Sequence, residues 1–114
     1  MKPGRGLFSG FPPALSGLKH LLLTERHAKF HLLATILVII TGFSANLSTN
    51  EWLWILLSIA LVWIAELFNT ALERLGDRVT KEPDPLIGQA KDLAAAAVLM
   101  AAGFAIVTAV MVFT

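Results

Sequence analysis

Apolar side chains dominate three long blocks of this chain, at 30–48, 52–68 and 93–113, with polar residues gathered between and before them. A helix rises 1.5 Å per residue, so about 20 apolar residues cross the hydrocarbon of a bilayer. The blocks therefore predict three transmembrane helices: 30–48, then 52–77 with its last turns beyond the membrane, then 90–113. The first is slightly short, so Phe30 and His31 at one end and Ser44 to Asn46 at the other are counted with it. Trp52 and Trp54 follow a polar turn at 46–51 and mark an interface belt.

Ahead of the spans, Gly4, Gly6, Gly10, Pro12 and Pro13 predict an irregular segment over 1–13. A helix over 14–29 follows, with Leu15, Leu18, Leu21, Leu22 and Phe30 on one stripe and Lys19, Arg26, Lys29 and the histidines mostly elsewhere. That is the pattern of an amphipathic helix lying in the membrane surface. Pro83, Asp84, Pro85 and Gly88 predict a loop over 78–89. The third span is rich in alanine and carries Gly103, which permits close helix packing. The expected fold is thus all-α, integral to the membrane, and a single domain over 1–114.

Composition agrees: 56% hydrophobic residues in 114 is more apolar surface than a small soluble domain hides. With no cysteine, disulfides and thiolate chemistry are excluded, and a net charge of +1 gives no support for nucleic-acid binding. Residues 1–13 lack the apolar core of a cleavable signal peptide. Glycine-rich phosphate loops and the soluble-kinase motifs are also missing. Basic residues do settle an orientation. Lys2, Arg5, Lys19, Arg26 and Lys29 precede the first span, none lies at 46–51, and Arg74, Arg78, Lys81 and Lys91 lie between the second and third. The positive-inside rule then expects the N-terminus in the cytoplasm and the C-terminus outside.

The candidate chemistry sits where the second span ends. At 100° per residue, Glu66, Asn69, Glu73 and Asp77 fall within an arc of about 80°. Acids in or beside a span are costly and usually serve a site. The plain alternative is a solvated face balanced by Arg74, Arg78 and Lys81. Glu25, the only acid in the first fifty residues, and Lys91-Asp92 converge on the same side of the membrane by the charge count. Spacing alone also allows a metal site at His20, His27 and His31, although the acids offer better oxygen ligands for a hard cation.

The row Glu66-x-x-Asn69-Thr-Ala-x-Glu73-x-x-x-Asp77, followed after a loop by Ala90-Lys91-Asp92-x-Ala-Ala-x-Ala-Val98, resembles the signature of the prokaryotic diacylglycerol kinase / undecaprenol kinase family. The run from Glu25 to His31 is similar to that family's Glu-x-Asn-x-Arg-Ile-His element, with His27 for Asn and Lys29 for Arg. The resemblance implies an integral-membrane lipid kinase of the bacterial inner membrane that uses ATP with Mg²⁺ and assembles as a homotrimer. It implies Glu66 as catalytic base and Glu25 and Glu73 as metal ligands. Nucleotide contacts are implied at Glu25, Glu73, Asp77, Glu82, Asp84, Lys91 and Asp92, with Asn69 in the same row. The lipid is implied to meet Glu66, Lys29 and Ala95.

Undecaprenol-type members show Lys-Asp-x-Ala-Ala and a histidine closing the first element, which Lys91 to Ala95 and His31 match, whereas diacylglycerol-type members show Lys-Asp-x-Gly-Ser. Undecaprenol is thus the expected acceptor, with diacylglycerol the alternative. A small proton-coupled transporter would carry four spans and an acid in the first. A structural assembly subunit would leave the acid row unexplained.

Overall fold

The computed structural model describes residues 8–114. They form four helices and no strand: α1 (Phe11–Thr24), α2 (Arg26–Ser44), α3 (Thr49–Val79) and α4 (Pro85–Phe113). Of the segment expected to be irregular, residues 1–7 lie outside those described and 8–10 make a turn. α1 begins three residues before Ala14 because Pro12 and Pro13 occupy its first turn, where a missing N–H costs nothing.

The helix expected over 14–29 is two helices. α1 stops at Thr24, Glu25 is extended (φ −103°, ψ 124°), and α2 restarts at Arg26. No glycine or proline makes this corner. The Thr24 hydroxyl donates to the His20 carbonyl, and Arg74 of α3 donates to both Thr24 Oγ1 (2.8 Å) and Glu25 Oε1 (3.0 Å). A tertiary clamp thus replaces a local stop signal. Of the apolar stripe on α1, only Leu21 is buried, and Leu15 remains 62% exposed.

The two other connections are shorter than the pattern predicts. α2 closes at Asn46 in a left-handed conformation (φ 56°), and α3 starts at Thr49 on a reciprocal cap: Ser48 Oγ accepts from Glu51 N–H while Glu51 accepts from Ser48 N–H. At the other end the loop shrinks from 78–89 to 80–84. Asp84 Oδ1 accepts from the N–H groups of Leu86 and Ile87, both at 3.0 Å, Pro85 opens α4, and Gly88 lies inside the helix.

α3 and α4 form an antiparallel pair along most of their lengths, and α2 lies antiparallel to α3 through fewer contacts. Gly42 admits the Trp52 ring so closely that a Cβ there would stand 2.6 Å from it. Trp63 Nε1 donates to Thr35 Oγ1 at 3.0 Å, and Thr35 donates to the His31 carbonyl. Little is enclosed: the buried apolar residues are Leu21, Ala28, Ile55 and Val62, while side chains such as Leu99, Met100 and Met111 are three-quarters exposed. Exposing each such side chain to water costs about 1.5–3 kcal/mol, so an outer surface of this kind suits hydrocarbon or other copies of the chain. α2, α3 and α4 are each long and apolar enough to cross a membrane. At 1.5 Å per residue α3 is about 46 Å long, well over the ~30 Å of bilayer hydrocarbon, so its last turns extend past the apolar zone together with the start of α4.

Candidate active site

The acid row of α3 is one continuous helix face, and its members meet different partners along it. Glu66 is buried, 4% exposed, where α3 passes α2. The basic side chain within 4 Å of its carboxylate is His31, with Nε2 3.9 Å from Oε1. One turn on, Asn69 faces an apolar cleft with Phe68, Ala94 and Ala97, and its Oδ1 is buried without a hydrogen-bond partner. The hydrogen bond expected of Asn69 within the row is therefore not made from that oxygen. The part of α4 that lines this cleft, Ala94, Ala97, Met100, Ala101 and Phe104, offers the amide no polar side chain.

Beyond Asn69 the row reaches Lys91 of α4. Its ammonium donates to Asp77 Oδ1 at 2.7 Å and lies 3.5 Å from Glu73 Oε2. The hydrogen bond from Lys91 holds the Asp77 carboxyl below its ordinary pKa, and that same bond, aided by the Glu73 charge, raises Lys91 above its own. Gly76 makes this reach possible, since a Cβ there would lie 3.0 Å from Lys91 Cε. Neither Lys91 nor Asp77 is enclosed, and Asp92, about 100° further round α4, is exposed.

Glu25 lies at the α1–α2 corner, engaged by Arg74 rather than by Lys91. The two carboxylates expected to hold a metal are thus neutralised by different cations. Among the described residues no group of three or more His, Asp or Glu is arranged to hold an ion unaided. The histidine site that spacing allowed is therefore not formed. Two half-exposed glutamates nevertheless suit Mg²⁺, which takes one or two protein carboxylates and completes its shell with water and phosphate oxygens.

Glu82, Asp84 and Lys91 line one open cleft of about 570 Å³ with Lys81, Thr80 and the apolar Pro83, Pro85 and Ile87. One Asp84 oxygen is committed to capping α4, so this residue has a structural duty that the motif did not suggest. Lys29 and Ala95 are both exposed and touch neither Glu66 nor each other through a hydrogen bond or ion pair. Three participants escaped the sequence reading. Arg74 passed for a balancing surface charge, His31 for a motif residue or a histidine-site ligand, and Gly76 was given no role. The i, i+4 relation of Thr35 to His31 and the i, i+3 relation of Trp63 to Glu66 were legible, but which helix faced which was not.

Against this geometry, a family model described as prokaryotic diacylglycerol kinase matches residues 13–113. The chain belongs to the prokaryotic diacylglycerol kinase family. It is 38% identical over 106 residues to the undecaprenol kinase of Bacillus subtilis, covering 93% of this chain and 86% of that one. To the diacylglycerol kinase of Escherichia coli (strain K12) it is 30% identical over 92 residues, 81% of this chain and 75% of the other. The corresponding Haemophilus influenzae enzyme is 37% identical over 91 residues, 77% and 75% of the two chains. As a member of this family the chain is a lipid phosphotransferase, and its three apolar helices make it a bacterial membrane protein.

Proposed function

We propose that the chain transfers the γ-phosphoryl group of ATP to the hydroxyl of a membrane lipid alcohol, with undecaprenol the favoured acceptor and diacylglycerol the second. The observation that carries this reading is the split within one helix face: a buried glutamate in the apolar run of α3, and two more open acids bridged by a lysine just beyond it. A lipid hydroxyl meets the first while a soluble nucleotide meets the second.

In this reading Glu66 accepts the hydroxyl proton, which breaks the O–H bond as the new O–P bond forms and the bond to the nucleotide's leaving phosphate breaks. Lys91 offers its ammonium to the phosphates, exchanging part of its interaction with Asp77 for them. Asp77, Asp92, Glu82 and Asp84 line the nucleotide side, and the free Asn69 oxygen is available to a donor between the two substrates. Glu25 and Glu73 would hold Mg²⁺, which when bound neutralises phosphate charge. Arg74 holds Glu25 at the α1–α2 corner. The preference for undecaprenol draws on His31, on Ala94-Ala95, and on the 38% identity to a relative bearing that name.

The test is ATP-dependent phosphorylation by purified protein in detergent, with undecaprenol and diacylglycerol compared under identical conditions. A higher kcat/KM for undecaprenol is expected. Equal or reversed values return the acceptor to diacylglycerol, and no transfer to either removes the kinase reading.

The site is proposed to face the cytoplasm, with the N-terminus on that side and the C-terminus outside, from the placement of lysine and arginine. Single cysteines placed at 48 and 114 of this cysteine-free chain should react with an impermeant reagent added outside, and one at 81 should not. A homotrimer is proposed as the working form, because three spans leave most of their apolar surface uncovered.

A further inference from the structure

We propose that His31 is the positioning residue of the buried base: it orients the Glu66 carboxylate and takes over the proton that Glu66 draws from the lipid hydroxyl. The inference rests on the kinase reading and deepens it. A proton left on a buried carboxyl must depart before the next turnover, and Glu66 at 4% exposure has almost no water of its own. His31 is the basic side chain within 4 Å of it, and at 17% side-chain exposure it is less enclosed than Glu66.

The surrounding architecture holds the two residues face to face. Thr35, one turn along α2, donates to the His31 carbonyl, and the same hydroxyl accepts from Trp63, three residues before Glu66 on α3. The turns bearing His31 and Glu66 are thereby pinned together. At 3.9 Å the pair is not hydrogen-bonded, and an adjustment of about 1 Å brings it within the 2.6–3.2 Å of proton transfer. His31 also lines a cavity of about 300 Å³ between α2, α3 and α4 with Ala34, Ser58, Val62 and Ala105.

Competing charges are elsewhere. The α4 residues of that cavity are alanines and an isoleucine, Lys91 is engaged by Asp77 and Glu73, and Asp92 is exposed. On α1, His20 lines a separate cavity with Arg74. On α2, His27 and Lys29 are exposed, and Glu25 is held by Arg74. The sequence of transfers balances: the hydroxyl proton passes to Glu66, from Glu66 to His31 Nε2, and from the resulting imidazolium to water, returning both side chains to their starting forms.

The experiment compares kcat against pH for the full chain with undecaprenol and saturating ATP, in wild type, His31→Gln and His31→Asn. Two variants guard against a loss of fold, since the Gln amide reaches the position of Nε2 and the Asn amide that of Nδ1. Wild-type kcat should fall towards low pH along a limb, because an imidazolium cannot take the proton from Glu66. Both variants should lose that limb and about 10- to 100-fold in kcat, below the 10²–10⁴ worth of a general base itself. The KM for each substrate should stay unchanged, and added imidazole should restore part of the rate. Variants that keep the wild-type limb overturn the proposal, whether kcat is retained or the loss appears in lipid KM. A wild type without lipid kinase activity defeats the kinase reading itself, a result distinct from active variants with an unaltered profile.

Discussion

Glu66 and Asp77 project from one face of one helix, yet the first is buried opposite a histidine and the second is exposed on a lysine. Three turns of α3 separate them, and that distance carries the row from the apolar zone to water. The same carboxylate chemistry therefore acquires two roles. A shielded acid beside a neutral-capable base suits proton transfer, whereas solvated acids beside a fixed cation suit the ordering of phosphates and metal. The difference shows why the row must be continuous helix: a break after Glu66 would separate the lipid hydroxyl from the phosphorus it attacks.

The contrast breaks most sharply by neutralising its two ends in turn. Glu66→Gln keeps size and polarity but cannot accept a proton, so kcat should fall about 10²–10⁴-fold with the Mg–ATP concentration for half-saturation little changed. Glu73→Gln should instead raise the Mg²⁺ requirement and be partly relieved by excess metal. Steady-state kinetics at several Mg²⁺ concentrations separates the two. Rescue of Glu66→Gln by metal, with none for Glu73→Gln, exchanges the roles.

How much of this contrast was legible depends on which forces set each feature. The three long apolar helices and the shared face of Glu66, Asn69, Glu73 and Asp77 follow from composition and period, which are local properties. The charge count put Lys91 on the same side of the membrane as the row, but its hydrogen bond to Asp77 requires the short turn that Asp84 and Pro85 create. The loop looked longer because Pro85 and Gly88 were both read as breakers, although a proline after a capping aspartate starts a helix. The capping box at Ser48 and Glu51 was open to reading by its spacing and would have moved the start of α3 to Thr49. The corner at Glu25 was not, because Arg74 lies 49 residues away and no residue type at the corner announces it.

A second test weakens the exposed end alone. Lys91→Met removes the cation from Asp77 and Glu73 while keeping the apolar stem, and the nucleotide KM should rise about tenfold, the scale of one hydrogen bond to a charged group. The pH dependence of folding gives the complementary measurement. Asp77 has its pKa lowered in the folded chain, so its contribution is complete above the ordinary carboxylate value and is lost as pH falls through the folded value. Lys91 is raised, so its contribution is complete below the ordinary lysine value and is lost as pH rises through the folded one. Melting in detergent should therefore show a plateau between those limits, with an acid edge that Asp77→Asn flattens.

The smallest expected effect concerns the space that lets the two helices share a charge. Gly76 is buried where Lys91 crosses α3, and a Cβ there would stand 3.0 Å from Lys91 Cε and 3.2 Å from Ile87 Cγ2. Replacing a helical glycine by alanine gains about 0.8–1 kcal/mol of intrinsic propensity. Against that, Lys91 Cε belongs to a long flexible side chain and moves aside readily, whereas Ile87 Cγ2 sits on a β-branched carbon and must give by a few tenths of an ångström. Gly76→Ala should then melt at or slightly above the wild-type temperature, while the nucleotide KM rises severalfold at most as the ammonium is displaced from Asp77 and Glu73. Gly76→Val adds two methyl groups to the same spot, and its KM should approach that of Lys91→Met with kcat falling far less than in Glu66→Gln. A Gly76→Val enzyme with wild-type nucleotide KM would show that the contact between Lys91 and the two acids is dispensable, and the exposed end of the row would lose its assigned role.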